Sequence, residues 1–326
     1  MTLKDQYYQF TLGKSKFPMK PLIDLESGLS YVYGVECKGS DVCRKGDEPP
    51  LFDITANNPT ILPDTFTYKF APNEELTGNT LADIFTIGGV EVNTTFGCIK
   101  RGTKSYSTEN MTFGLGFETD PNPNFIEPVK SIMNSVDQKG IIIMNGQNAG
   151  DGNIVFGALT HSSCENMIMT KAQISGKGQQ TWQIKFTSIT SGSHGDYDVN
   201  AAFDFTTDEI TLTKSLYEGI GIDSVPFLGK LDDIVFKIDD YTITLKPKDY
   251  TIKTNESRFL PRVKLSDKDS QIRLGASFYR NRCIYLRKED DQYKIGISQL
   301  ESNDSHLHFS TISLLAVFLI GNIHRL

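Results

Sequence analysis

The sequence predicts a mainly β protein made of two lobes, and three observations carry that reading. Helical periodicity is scarce along the chain. In its place, short apolar or alternating runs recur, each bounded by Gly, Asn, Asp or Pro, which is the pattern of many strands. The length of 326 residues accommodates two domain-sized units at ~150 residues each, enough to bury large cores without staples.

From the N-terminus, YYQFTLG, KPLIDL, DTFTYKF and ADIFTIGGVEVNTTFGC supply the first strand candidates. FIEPVKSIMNSVDQKG breaks the pattern. Its Ile126, Val129, Ile132, Met133 and Val136 recur three or four apart and the run stops at Gly140, which predicts a helix. GIIIMNG, GNIVFGAL, QTWQIKFTSIT, DEITL, DIVFKI, YTITL, CIYLRK and YKIGISQL continue the strands, interrupted by a second short helix expected from Lys214 in KSLYEGIGIDSV. Some pieces occur twice. Asp24 follows Leu22-Ile23 and Asp204 follows Ala202-Phe203; downstream of each comes an apolar run with Gly, GLGF from Gly114 and IRLGASF from Ile272. An N-terminal lobe over 1–165, a C-terminal lobe over 166–300 and a polar spacer with an apolar tail over 301–326 are therefore expected.

The composition is globular, with 38% apolar and 22% charged residues, so wholesale disorder is not expected. A net charge of -7 without a basic stripe argues against a nucleic-acid groove and leaves proteins, peptides or sugars as partners. Five cysteines is an odd count. Cys37 and Cys43 stand close enough to close a small loop, with unlinked thiols as the alternative; of Cys98, Cys164 and Cys283, at most two can pair with each other. No CxxC or Cys/His spacing suggests zinc, the five histidines lie apart, and no metal or cofactor is expected. GDGN from Gly150 lacks the strand-to-helix context of a phosphate loop, and no serine sits in a G-x-S-x-G elbow. The single tryptophan, Trp182, reads as core packing.

Sequons begin at Asn93, Asn110, Asn255 and Asn303, and with the cysteine loop they favour a secreted or surface glycoprotein. The opening MTLKDQYYQF has neither the basic flank nor the apolar core of a signal peptide, so a missing start is expected. At the other end, Ser302, Asn303, Asp304 and Ser305 precede a short spacer and the apolar TISLLAVFLIGNIHRL, which is short for a spanning helix and matches a lipid-anchor addition signal, with a C-terminal amphipathic or core helix as the alternative.

The order of these pieces resembles the pepsin-like aspartic proteases over roughly Tyr7 to Leu300. IDLESGLSYV sits where that family has Asp-Thr-Gly-Ser and a Trp-Val ending, with Asp24, Ser27, Tyr31 and Val32 in the corresponding slots. FTYKF puts Tyr68 at the flap tyrosine, TFGLGF and WQIKFTSIT resemble later strands, and AAFDFTTDEITL stands where the second Asp-Thr-Gly belongs, with Asp204 and Thr207. The resemblance implies a bilobal β fold and a monomer. It also implies a small Cys37–Cys43 disulfide and an Asp24/Asp204 pair sharing one proton above a peptide in the cleft, with Tyr68, Ser27 and Thr207 as binding residues.

Both motifs depart from the family at the positions that serve the carboxylates. Leu25 and Phe205 replace the threonines and donate no hydrogen bond; Glu26 and Thr206 replace the glycines, where backbone would approach the carboxylate without a Cβ. Glu26 adds charge beside a pair of acids, which is expected to raise neighbouring pKa values or push the loops apart. Pro72, Glu74 and Glu75 make the flap tip more acidic, and Ala276 replaces a polar residue in the late LG strand. Reading Glu26-Ser27-Gly28 as the acid-Ser-Gly motif is an alternative alignment, though it moves Asp24 off the strand end. The expectation is a pepsin-fold protein that has lost proteolysis and keeps its cleft for binding or as a scaffold; an active endopeptidase through Asp24 and Asp204 is the alternative.

Overall fold

The computed structural model describes residues 10–299 apart from 20, 38–50, 72–73, 88–89, 103–110, 119–125, 137, 146–151, 165–166, 173–178, 206, 221–224, 255–256, 267–271 and 291. Cys43, Asn110, Asn255, Thr206 and the tail over 301–326 lie outside the described residues.

Three sheets make the body of the molecule. The first runs in the order Phe17–Met19, Phe10–Leu12, Glu74–Ile87, Val90–Gly102, Ser30–Tyr33, Met111–Gly114, Pro21–Asp24, with Thr60–Ala71 hydrogen-bonded to Glu74–Ile87. The second runs Tyr241–Leu245, Ile234–Ile238, Gln183–Ser191, His194–Phe203, Ile272–Leu274, Ile210–Leu212, Val263–Leu265. A third sheet joins early and late chain: Gly152–Phe156, Gly140–Asn145, Arg282–Glu289, Gln292–Gln299, Ile168–Lys171. This is the expected bilobal β architecture.

The sequence pattern explains each layer. In Ile234–Ile238 the residues Ile234, Phe236 and Ile238 are buried while Lys237 between them is exposed, the two-residue alternation of a strand with one face on a core. The continuous apolar run of Gly140–Asn145 is buried at every position, as a strand covered on both faces must be. Asp239, at φ 49, turns Ile234–Ile238 into Tyr241–Leu245, a left-handed conformation that Asp tolerates.

The helix predicted from apolar spacing is Pro128–Ser135, with Val129, Ile132 and Met133 buried and Pro128 supplying a preset φ at its first turn. Ile126 lies outside it and is exposed. The second expected helix is Lys214–Ile220. Trp182 is fully buried, packs against Phe117 and Tyr293, and donates its indole N–H to the Leu115 carbonyl at 2.6 Å.

Cys164 and Cys283 form a disulfide that ties the segment after Gly152–Phe156 to the strand Arg282–Glu289 across a sequence separation of 119. Cys37 is also disulfide-bonded. Cys98 is a free, buried thiol, pushed up to about 12 by burial. Cross-linking so long a segment removes freedom from the unfolded chain, so Cys164→Ser is expected to cost ~2–4 kcal/mol in chemical denaturation. Reductant should then lower the midpoint of the unaltered protein by more than that of the variant, which keeps the disulfide at Cys37.

Candidate functional site

Two short loops, one at the end of each of two sheets, carry the chemistry-bearing residues, and they are built alike. Pro21–Asp24 runs parallel to Met111–Gly114, with Asp24 opposite Gly114, and the Leu115 N–H donates to the Asp24 carbonyl at 2.6 Å. His194–Phe203 runs parallel to Ile272–Leu274, and the Asp204 N–H donates to the Leu274 carbonyl at 3.1 Å. Three residues past each aspartate the pattern repeats. Gly116 N–H donates to the Ser27 carbonyl at 2.8 Å and Ala276 N–H to the Thr207 carbonyl at 2.8 Å. Close backbone approach fixes the glycines here: a Cβ at Gly114 would meet the Ser27 and Leu29 carbonyl oxygens at 2.6 and 2.5 Å, and one at Gly275 would meet the Glu209 carbonyl oxygen at 2.1 Å.

Asp24 is buried, and its carboxylate is held from three directions. Oδ1 accepts the Glu26 N–H at 2.8 Å and the Ser27 N–H at 3.3 Å, while Oδ2 accepts the Tyr68 hydroxyl at 3.2 Å. Burial raises its pKa to about 6, the charge of Asp204 adds to the rise, and these hydrogen bonds oppose it. Tyr68 reaches across from Thr60–Ala71 and is buried with Tyr31, whose ring lies 5.4 Å away.

Glu26 points the other way from its own N–H. Its Oε2 accepts from Arg273 Nη1 at 2.8 Å, and the same nitrogen stands 3.9 Å from Asp204 Oδ2. Burial pushes Glu26 up to about 8; Arg273 pulls it back, and the charges of Asp204 and Asp24 push it up further. Three carboxyl groups and one guanidinium thus meet where the two loops face each other. Among the described residues no cluster of three His, Cys, Asp or Glu side chains is arranged to hold a metal ion.

The family model for eukaryotic aspartyl protease matches residues 7–300, nearly the whole chain. The chain belongs to that family. Asp24 ends the strand Pro21–Asp24 and Asp204 directly follows His194–Phe203, and Asp24, rather than Glu26, is the carboxyl group that the loop's N–H groups surround.

The Glu26 side chain of this aspartyl protease homologue turns out toward Arg273 while its backbone N–H stays aimed inward at Asp24. Leu25 and Phe205, in the threonine positions, are both enclosed in the main core as their apolar character implies. Phe205 packs edge-on to Tyr279 at 4.3 Å, and the Tyr279 hydroxyl donates to the Asp204 carbonyl at 3.2 Å.

Of the remaining aspartyl protease positions named from sequence, Ser27 is fully buried and its Oγ accepts the Leu29 N–H at 3.0 Å. Thr207 is half-buried and accepts the Glu209 N–H at 3.2 Å. Asn93 is exposed on Val90–Gly102, while the Thr95 of its sequon is buried and accepts the Ile126 N–H at 3.0 Å. Arg273 was not singled out from the sequence. Its partner is 247 residues away, and its only local signal is a cation in the otherwise apolar IRLGASF. Because the Tyr68 hydroxyl favours ionised Asp24, Tyr68→Phe is expected to move Asp24 above about 6 in a carboxyl-carbon NMR titration; a fall would contradict the hydrogen bond.

Proposed function

We propose that this aspartyl protease homologue does not hydrolyse peptides and uses its cleft to bind them. The observation that carries the reading is the Glu26–Arg273 pair, which brings a third carboxyl group and a cation against Asp204 at the loop junction. Paired-acid catalysis needs two carboxyls to hold one proton between them over a water, with one accepting as the other donates. A guanidinium beside Asp204 competes for the oxygen that would share that proton. Enclosed Leu25 and Phe205 leave no threonine hydroxyls to link the two loops.

The specific observation favouring the alternative, an active endopeptidase through Asp24 and Asp204, is the retained N–H cradle of Asp24 together with its coupling to Asp204. A mixed peptide pool presented to the protein at acid pH separates the two. Enrichment of intact peptides by mass spectrometry supports binding without cleavage; paired fragments from a shared cut site, or no enrichment, contradict it. The family and the Cys164–Cys283 disulfide fit a secreted or extracellular protein. Glycosylation at Asn93 and lipid anchoring through the tail over 301–326 belong to the same proposal.

A further inference from the structure

We propose that Arg273 is an internal lock on the acid pair: a cation shared by the two loops, held by Glu26 and passed to Asp204 when Glu26 takes up a proton. This deepens the reading of the cleft as non-hydrolytic by naming what closes the acid pair to a ligand hydroxyl.

The geometry carries it. Nη1 of Arg273 contacts Glu26 at 2.8 Å and lies 3.9 Å from Asp204, so one nitrogen serves a carboxyl from each loop and a shift of about one ångström exchanges them. Arg273 is fixed at its backbone between two strands, opposite Ala202 of His194–Phe203 and Thr211 of Ile210–Leu212, so the exchange needs only side-chain motion. Its side chain is 37% exposed against 17% for Glu26 and 10% for Asp204, which makes the guanidinium the accessible member of the group.

The charged and titratable groups facing Glu26 are Asp24 at the end of Pro21–Asp24, Asp204 at the end of His194–Phe203, and Arg273 on Ile272–Leu274. Asp24 faces Tyr68 of Thr60–Ala71, and Tyr31 and Tyr279 flank the two aspartates without supplying a cation. Protonating Glu26 removes the negative partner that holds Arg273 and leaves Asp204 as its nearest anion. With Glu26 holding it the guanidinium already stands 3.9 Å from Asp204, and with Glu26 protonated it closes on that carboxyl. A hydroxyl that needs both aspartates must displace it.

A statine-containing peptide, whose hydroxyl seeks both carboxyls, is the probe, with binding measured by calorimetry at acid pH. Arg273→Gln should bind it at least roughly tenfold more tightly than the unaltered protein, whereas Arg273→Lys, which keeps the charge, should gain much less. Glu26→Gln reproduces the uncharged Glu26 present at acid pH and leaves Arg273 with Asp204, so affinity should stay level. Equal affinity in folded Arg273→Gln and the unaltered protein overturns the lock. A gain in Glu26→Gln overturns it too, and this arm decides the matter should Arg273→Gln not fold. Peptide cleavage by the unaltered protein would remove the non-hydrolytic reading yet leave this comparison of affinities standing.

Discussion

Lowering the pH through about 8 and then about 6 should stabilise the fold. Burial raises Asp24 from 3.8 to about 6 and Glu26 from 4.5 to about 8, so between the ordinary and the folded values the folded chain binds more protons than the unfolded one. Their contribution is whole below 3.8 and 4.5, declines as the pH rises, and is gone once the pH has passed about 6 for Asp24 and about 8 for Glu26. At ~1.4 kcal/mol per pKa unit the two together amount to on the order of 8 kcal/mol. Urea titrations across this range measure it directly. Glu26→Gln should flatten the dependence between about 6 and about 8, where Glu26 alone acts, and leave only the shallower contribution of Asp24 below about 6. An unchanged slope in that variant would mean that Glu26 ionises normally and is not buried against the two aspartates.

Phe205→Ala should cost roughly 3–5 kcal/mol, the range for emptying a large buried aromatic site. Phe205 is fully buried, its ring meets Tyr279 at 4.3 Å, and the Tyr279 hydroxyl in turn holds the Asp204 carbonyl. The loss therefore reaches the loop that carries the second acid. Leu25→Ala, at the equivalent position of the first loop, should cost ~2–5 kcal/mol. Threonine at both positions should also destabilise, since a hydroxyl would replace apolar volume in a core now shaped for Leu and Phe. Equal stability of Phe205→Ala and the unaltered protein would show that the ring is not enclosed.

Much of this fold was legible because its strands are marked by alternation and turn residues, as in Gln183–Ser191 and Ile234–Ile238. His194–Phe203 was not among the strand candidates. In its sequence HGDYDVNAAF only Val199 and Tyr197 break the polar character of the first seven residues, and only Ala201, Ala202 and Phe203 are buried, so it is a strand by virtue of its pairing with Gln183–Ser191 rather than by its own pattern. The four-residue helices Ile54–Asn57 and Ala276–Tyr279 are too short to show a period.

At the site, Asp24 and Tyr68 could be named because each ends or sits on a readable strand, and Asp204 because AAFDFTTDEITL stands where the second acid motif of the family belongs. The role of Glu26 was half legible. Its charge was plain, but a backbone N–H and a side chain leave the same residue in different directions, and only the fold shows one serving Asp24 while the other meets Arg273. No spacing rule joins residues 26 and 273; that contact exists because two parallel strand pairs bring their loops face to face.

The direct measurement is turnover of a peptide substrate at acid pH by the whole chain, set beside Asp24→Ala and Asp204→Ala. With a guanidinium and an extra carboxyl crowding the acid pair, the unaltered protein should release no more product than either variant. Product formed by the unaltered protein and abolished in both variants would contradict that account.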